Sequence, residues 1–76
     1  MENVIATIVK TDTTVARVSL SDYRGKNYLN IREWYTKDKS NWFPSNKGIA
    51  FEFDKVGEVV TAVEKAEEEI VKLGIK

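Results

Sequence analysis

Apolar side chains recur at every second position through most of this chain and then, from Asp54 onward, at every third or fourth. That single change of period divides 76 residues into a strand-forming part and one helix. Val4–Val9 is short, β-branched and apolar on both sides, as in a strand. In 14–21, Ala16, Val18 and Leu20 fall on one side and Val15, Arg17, Ser19 and Ser21 on the other, the alternation of a half-buried strand. Residues 28–35 repeat the pattern, with Leu29 and Ile31 against Tyr28, Asn30, Arg32 and Trp34. Trp42-Phe43-Pro44 reads as a short extended piece, and residues 49–53 as a last strand with Ile49, Phe51 and Phe53 facing inward.

The punctuation fits this division. Residues 10–13 are polar and turn-like. Asp22-Tyr23-Arg24-Gly25-Lys26 predicts a hairpin in which Gly25 takes positive φ in a tight turn with a bulge. Pro44 cannot donate to a ladder and belongs at an edge or strand end, and residues 45–48 read as a turn. In the helix, Val56, Val59, Val60, Val63, Ile70 and Leu73 lie on one stripe continued by Ala66. Asp54 is the expected N-cap, Gly74 the expected end, and Glu68–Lys72 a favourable i,i+4 pair. Strands followed by a helix predict one α+β domain over residues 1–76: a curved antiparallel sheet of four to five strands with the helix on one face. A helix over 55–73 would be about 28 Å long, more than one small sheet covers, and the overhang predicts a partner helix from a second copy.

Composition narrows the chemistry. The chain has no cysteine and no histidine, so disulfides, thiolate metal sites, the usual neutral-pH base and the commonest zinc ligand are all excluded. A domain of this size buries only roughly 60% of its unfolded surface, and a homodimer is the remaining source of core. Ser19 and Ser21 have no base to activate them, and no glycine-rich phosphate loop is present. Glu67-Glu68-Glu69 reads as a solvated helix face rather than a metal site, since consecutive helical residues point in different directions. The expectation is a non-enzyme with no cofactor, no metal and no small-molecule substrate. No stretch approaches the roughly 20 apolar residues of a membrane span, and the opening residues lack a signal-peptide pattern. The protein is therefore expected inside the cell, in cytoplasm or nucleoid for a prokaryotic or phage source.

Net charge is zero, but the charges are segregated. Residues 10–48 carry eight Lys/Arg against four Asp/Glu, whereas residues 49–76 carry four against seven. Within the basic part, residues 23–35 interleave Tyr23, Tyr28, Trp34 and Tyr35 with Arg24, Lys26 and Arg32, and Trp42, Phe43 and Lys47 follow on the next ribbon. Cations along a groove with rings between them suit single-stranded nucleic acid, whose phosphates and base faces need both. The same rings also brace strands through cross-strand pairs, a role that fits Trp34 and Phe43. Tyr23, at a hairpin tip, has little core to join, and Arg32 in mid-strand needs an acidic or phosphate partner.

The stretch VSLSDYRGKNYLNIREWY (18–35), followed by NKGIAF (46–51), resembles the positive cofactor 4 family of transcriptional coactivators and single-stranded DNA-binding domains. The resemblance covers about residues 16–73. It implies a Whirly-like fold, a curved four-stranded sheet plus helix that dimerises through the helices, with Val56, Val59, Val60, Val63 and Ile70 at the interface. It also implies nucleic-acid contacts at Tyr23, Arg24, Lys26, Arg32, Tyr35 and Lys47, to which the residues themselves add Trp42. The family usually carries basic residues where Phe43 and Asn46 stand here, so more stacking and fewer phosphate contacts are expected. Arg32 and Tyr35 have opposite parity and share a face only if a bulge intervenes. The function implied is low-specificity binding of single-stranded DNA, in transcription, replication or repair. The alternatives are a dimeric protein-interaction module, or a purine-rich-element-type binder of single-stranded DNA or RNA.

Overall fold

The computed structural model describes residues 2–74. Strands β1 (Asn3–Thr11), β2 (Thr14–Tyr23), β3 (Lys26–Thr36) and β4 (Trp42–Glu52) form one open, curved antiparallel sheet in sequence order. A 3-10 turn, Phe53–Lys55, leads into helix α1, Val56–Leu73. The α+β architecture is the one expected, with four strands.

The turns differ from expectation in ways their chemistry explains. Arg24 (φ 51°) and Gly25 (φ 80°) both take left-handed backbone, the two-residue turn whose twist matches its strands. Such a turn needs no extra residue. No bulge forms, and β2 and β3 pair without interruption from Tyr23↔Lys26 to Thr14↔Tyr35. Between β3 and β4 the Asp38 carboxylate organises the loop. It accepts the backbone N–H groups of Ser40 and Asn41, both at 2.9 Å, and the Asn41 side-chain amide at 3.0 Å. These bonds, with a lesser one from the Thr36 hydroxyl, hold the Asp38 carboxyl well below the usual aspartate range.

Residues 45–48 do not form a turn. β4 runs continuously from Trp42 to Glu52, and its extra residues make a bulge. Arg32 pairs with Gly48 and Trp34 with Pro44, so Glu33 alone on β3 faces Ser45, Asn46 and Lys47 on β4. Pro44 is tolerated because β4 is an edge strand.

Cross-strand register sorts the side chains. One face carries the rows Val15–Trp34–Pro44, Arg17–Arg32–Gly48 and Ser19–Asn30–Ala50. The other carries Val18–Ile31–Ile49, Leu20–Leu29–Phe51 and, at the far end, Thr14–Tyr35–Phe43. The most deeply buried β2 residues lie on the first, more polar face: Val15 at 6% exposure and Ser19 at 3%. Arg17 lies over Trp34 there, and the Ser19 hydroxyl donates to Glu2 at 2.6 Å. The apolar face stays partly open; Ile49 is exposed rather than inward.

It stays open because α1 does not lie on it, contrary to the expected placement. The helix adjoins the body of the chain around its start, where Val56 lines one hollow with Leu20 and Phe53, and every helical residue beyond Val59 is exposed. Val60, Val63 and Ile70 of the stripe are bare. Asp54 falls in the 3-10 turn, so Lys55 occupies the N-cap position, without a side-chain cap bond. Phe53 opens that turn rather than ending a strand inward. Lys72 pairs with Glu69 at 3.8 Å instead of Glu68. Gly74 ends the helix as expected, left-handed at φ 66° with its N–H on the Val71 carbonyl. The accessible surface is 6208 Å², whereas a compact monomer of 8.7 kDa exposes about 4,700 Å².

The lowered Asp38 pKa fixes the sign of a pH effect. A depressed carboxyl stabilises above the ordinary aspartate value of about 4 and loses that contribution as pH falls through its lower folded value. Asp38→Ala is expected to lower Tm at neutral pH and to speed amide exchange at Ser40 and Asn41. The Tm gap to wild type should close on acidification; a gap constant from pH 7 to pH 2 would contradict the loop's dependence on the carboxylate.

Candidate nucleic-acid interface

The basic and aromatic side chains sit in three places along the β2–β3 ribbon. At the hairpin tip Tyr23 is 61% exposed, with the Arg24 guanidinium 5.2 Å from its ring centroid. Lys26 makes an exposed ion pair with Glu52 at 3.4 Å, a contact too weak in water to withhold the amine from another anion. Arg24 holds left-handed backbone, which costs a side chain about 1–2 kcal/mol relative to the right-handed form.

Midway along, Arg32 and Arg17 stand directly opposite one another on the polar face. Like charges so placed repel, and each guanidinium is held by something other than an acid. Arg32 Nη1 donates to the Ser45 carbonyl at 2.8 Å, a group the β4 bulge turns toward it. Arg17 stacks over Trp34 with its guanidinium carbon 4.2 Å from the ring centroid. Gly48 makes room for Arg32: a Cβ at that position would sit 3.1 Å from the guanidinium carbon and 3.2 Å from Arg32 Cβ and Cγ.

At the far end Tyr35 and Phe43 pair across β3 and β4, ring centroids 6.0 Å apart and planes tilted by 40°. Trp42 is half-buried and pairs with Thr36, placing it by register on the opposite face from Phe43. Lys47 is exposed on the bulge, its backbone N–H bonded to the Ser45 hydroxyl at 2.8 Å. Nearby, Lys10, at a register irregularity of β1, reaches across β2 to bond Glu33 Oε2 at 2.7 Å. That hydrogen bond lowers the Glu33 pKa, partly offset by burial, with smaller help from the charges of Lys10 and Lys47.

The expected site residues therefore do not converge on one patch of one protomer. The Tyr35 row lies nine positions along the ribbon from the Tyr23 row, about 30 Å at 3.4 Å per residue, and strand parity sets the two rings on opposite faces. The bulge lies between Arg32 and Tyr35, as sharing a face would require, but in β4; β3 keeps its alternation. Tyr23, Arg24 and Lys26 come together at the tip, Tyr35 joins Phe43 and not Trp42, and Arg32 stands between the two groups. Sequence reasoning missed Arg17 and the Lys10–Glu33 bridge, which only cross-strand register reveals. It also misread Gly48, although a glycine amid a strand pattern is a known sign of a bulge or close approach. Among the described residues no cluster of His, Cys, Asp or Glu could hold a metal ion, and no helix is long and apolar enough to cross a membrane.

These features define a class: a small sheet-and-helix domain with an unpaired apolar helix and a ribbon bearing cations and rings. The model of the family described as Transcriptional Coactivator p15 (PC4) matches residues 10–62, and the chain belongs to that family. No curated protein matches the sequence. Among solved structures, the PC4 homologue BPSL1147 of Burkholderia pseudomallei K96243 (orthorhombic crystal form) is similar with a TM-score of 0.82 and 25% identity, over 88% of this chain and 90% of that one. A bacteriophage T5 homologue of the eukaryotic coactivator PC4, implicated in recombination-dependent DNA replication, aligns at TM-score 0.69 and 23% identity, over 93% and 84%. The MoSub1 chain, solved as a DNA complex with a novel DNA-binding mode, aligns at 0.66 and 24%, over 93% and 87%.

Arg24 is expected to be kept against its local preference. Arg24→Asn, which gives the Asn-Gly pair this turn type favours, should stabilise the fold by about 0.5–1 kcal/mol in chemical denaturation. A loss of stability would mean that the Arg24–Tyr23 contact outweighs the backbone strain.

Proposed function

We propose that this chain is a non-catalytic, homodimeric protein that binds single-stranded DNA with little sequence preference, in transcription, replication or repair. The observation that carries the reading is the hairpin tip, where a strained Arg24 and a bare Tyr23 ring stand beside Lys26 with no role in packing. A ring for a base and cations for phosphates are the two groups a single strand requires. Membership of the PC4 family and the fold shared with a chain solved on DNA support the reading. Tyr23 and Tyr35 stack bases, while Arg24, Lys26, Arg32 and Lys47 neutralise phosphates; Trp42, on the other face from Tyr35, is left to brace the sheet. No cofactor, metal or small-molecule substrate enters this function, and its setting is intracellular.

The second copy follows from the surface left open. An excess of about 1,500 Å² per protomer over a compact monomer would bury about 3,000 Å² in a pair, within the range of obligate dimers. The interface is assigned to the α1 stripe of Val56, Val59, Val60, Val63 and Ile70 together with the aliphatic rows Val18–Ile31–Ile49 and Leu20–Leu29–Phe51 of the sheet, leaving the Tyr35–Phe43 end of that face uncovered.

Two measurements test this. With three to four phosphate contacts, log K for a labelled 20-nucleotide oligo-dT should fall against log salt with a slope of about −2 to −3, and Arg24→Asn should reduce the slope by about 0.7. Duplex DNA should compete poorly and RNA of equal length reports the sugar preference; a flat salt response, or preference for duplex, would overturn the reading and favour a protein-docking role for the ribbon. Val63→Asp should abolish the dimer in sedimentation and unfold the chain by circular dichroism. A folded, soluble Val63→Asp monomer would place the interface elsewhere.

A further inference from the structure

We propose that Tyr35 and Phe43 form a paired platform for two successive bases, and that its tilt makes the protein favour strands whose neighbouring bases unstack easily, oligopyrimidine over oligopurine. This rests on the single-strand reading above and names a strand chemistry and a residue that it lacked. The rings are cross-strand partners on adjacent strands, at 38% and 49% exposure, beyond the rows of aliphatic side chains on their face. Their 6.0 Å separation and 40° tilt are those of a self-supporting aromatic pair, so the platform is set before a ligand arrives.

The geometry excludes two simpler uses. A base sandwiched between both rings needs parallel planes about 7 Å apart, twice the contact distance of about 3.5 Å. A single base lying flat across both rings needs them coplanar. Each ring therefore takes its own base, and the two bases splay apart by the angle between the rings. Adjacent purines resist that separation because they stack on each other strongly, whereas pyrimidines yield, the source of modest preferences in sequence-tolerant binders. Phe43 carries no charge, so its share of affinity is independent of salt.

The test compares 20-nucleotide oligo-dT and oligo-dA by fluorescence anisotropy, for wild type, Phe43→Ala and Phe43→Leu, with dimer state followed by sedimentation. Wild type should prefer oligo-dT about fivefold or more. Both variants should stay dimeric, lose about tenfold on oligo-dT, bring the dT/dA ratio near one, and keep the wild-type salt slope. Phe43→Leu retains apolar bulk without a π face, which separates stacking from packing. Unchanged oligo-dT affinity or an unchanged dT/dA ratio in both variants overturns the platform. Dissociation of both variants into monomers also overturns it, by assigning the Phe43 ring to the interface between copies. A wild type that binds oligo-dT with the expected slope while the variants match it leaves the proposed function standing and removes only this inference; a wild type that binds neither strand removes both.

Discussion

The helix that leaves its own sheet is the constraint on which the rest depends. α1 carries a continuous apolar stripe, and β2, β3 and β4 present rows of Val, Leu, Ile and Phe on one face. In most small α+β domains such surfaces cover each other. Here the 3-10 turn at Phe53–Lys55 sends the helix outward, and Val15 is the only described apolar residue that is buried. With no cysteine for a disulfide and, among the described residues, no cluster to hold a metal, a single protomer has little to hold it together. That is the physical basis for proposing that the stripe and the aliphatic rows of the sheet face meet a second copy, an arrangement that would leave the ribbon's ends uncovered.

The polar face solves a different problem. Two arginines opposite each other in mid-sheet would repel, yet neither has an acidic partner among the described residues. The β4 bulge offers Arg32 a carbonyl, and Gly48 supplies the space through which the side chain reaches it. Arg17 is held against Trp34 by the attraction of a cation for a ring face. Both guanidinium groups are thereby fixed in place, so under the proposed function placing Arg32 against a phosphate would cost less side-chain entropy than ordering a mobile lysine.

Aromatic residues divide by position in the same way. Trp34 is covered by Arg17, and Trp42 is half-buried beside Thr36; both brace the sheet. Tyr23, Tyr35 and Phe43 are exposed at the ends of the ribbon, where strand twist and turns leave rings with one open face. A one-residue offset decides between the roles of Trp42 and Phe43, because alternate side chains of a strand point to opposite faces.

Much of this was legible from the residues alone. The change of period at Asp54 marked the border between sheet and helix to within two residues, and Gly25 and Gly74 marked a turn and a helix end. Local patterning sufficed there because strands and helices differ in period and because left-handed backbone selects glycine. The grouping of Tyr23, Arg24 and Lys26 at one tip was equally local. What the tertiary structure decided is whatever depends on which residues stand side by side across strands: the continuous β4 with its bulge, the Arg32–Ser45 bond, the Lys10–Glu33 bridge, and the pairing of Tyr35 with Phe43 instead of Trp42. The direction of the helix belongs there too, since an amphipathic stripe states that a helix must be covered but not by what. Register and the exit angle of a chain are set by contacts between distant segments, and a one-dimensional pattern carries no term for them.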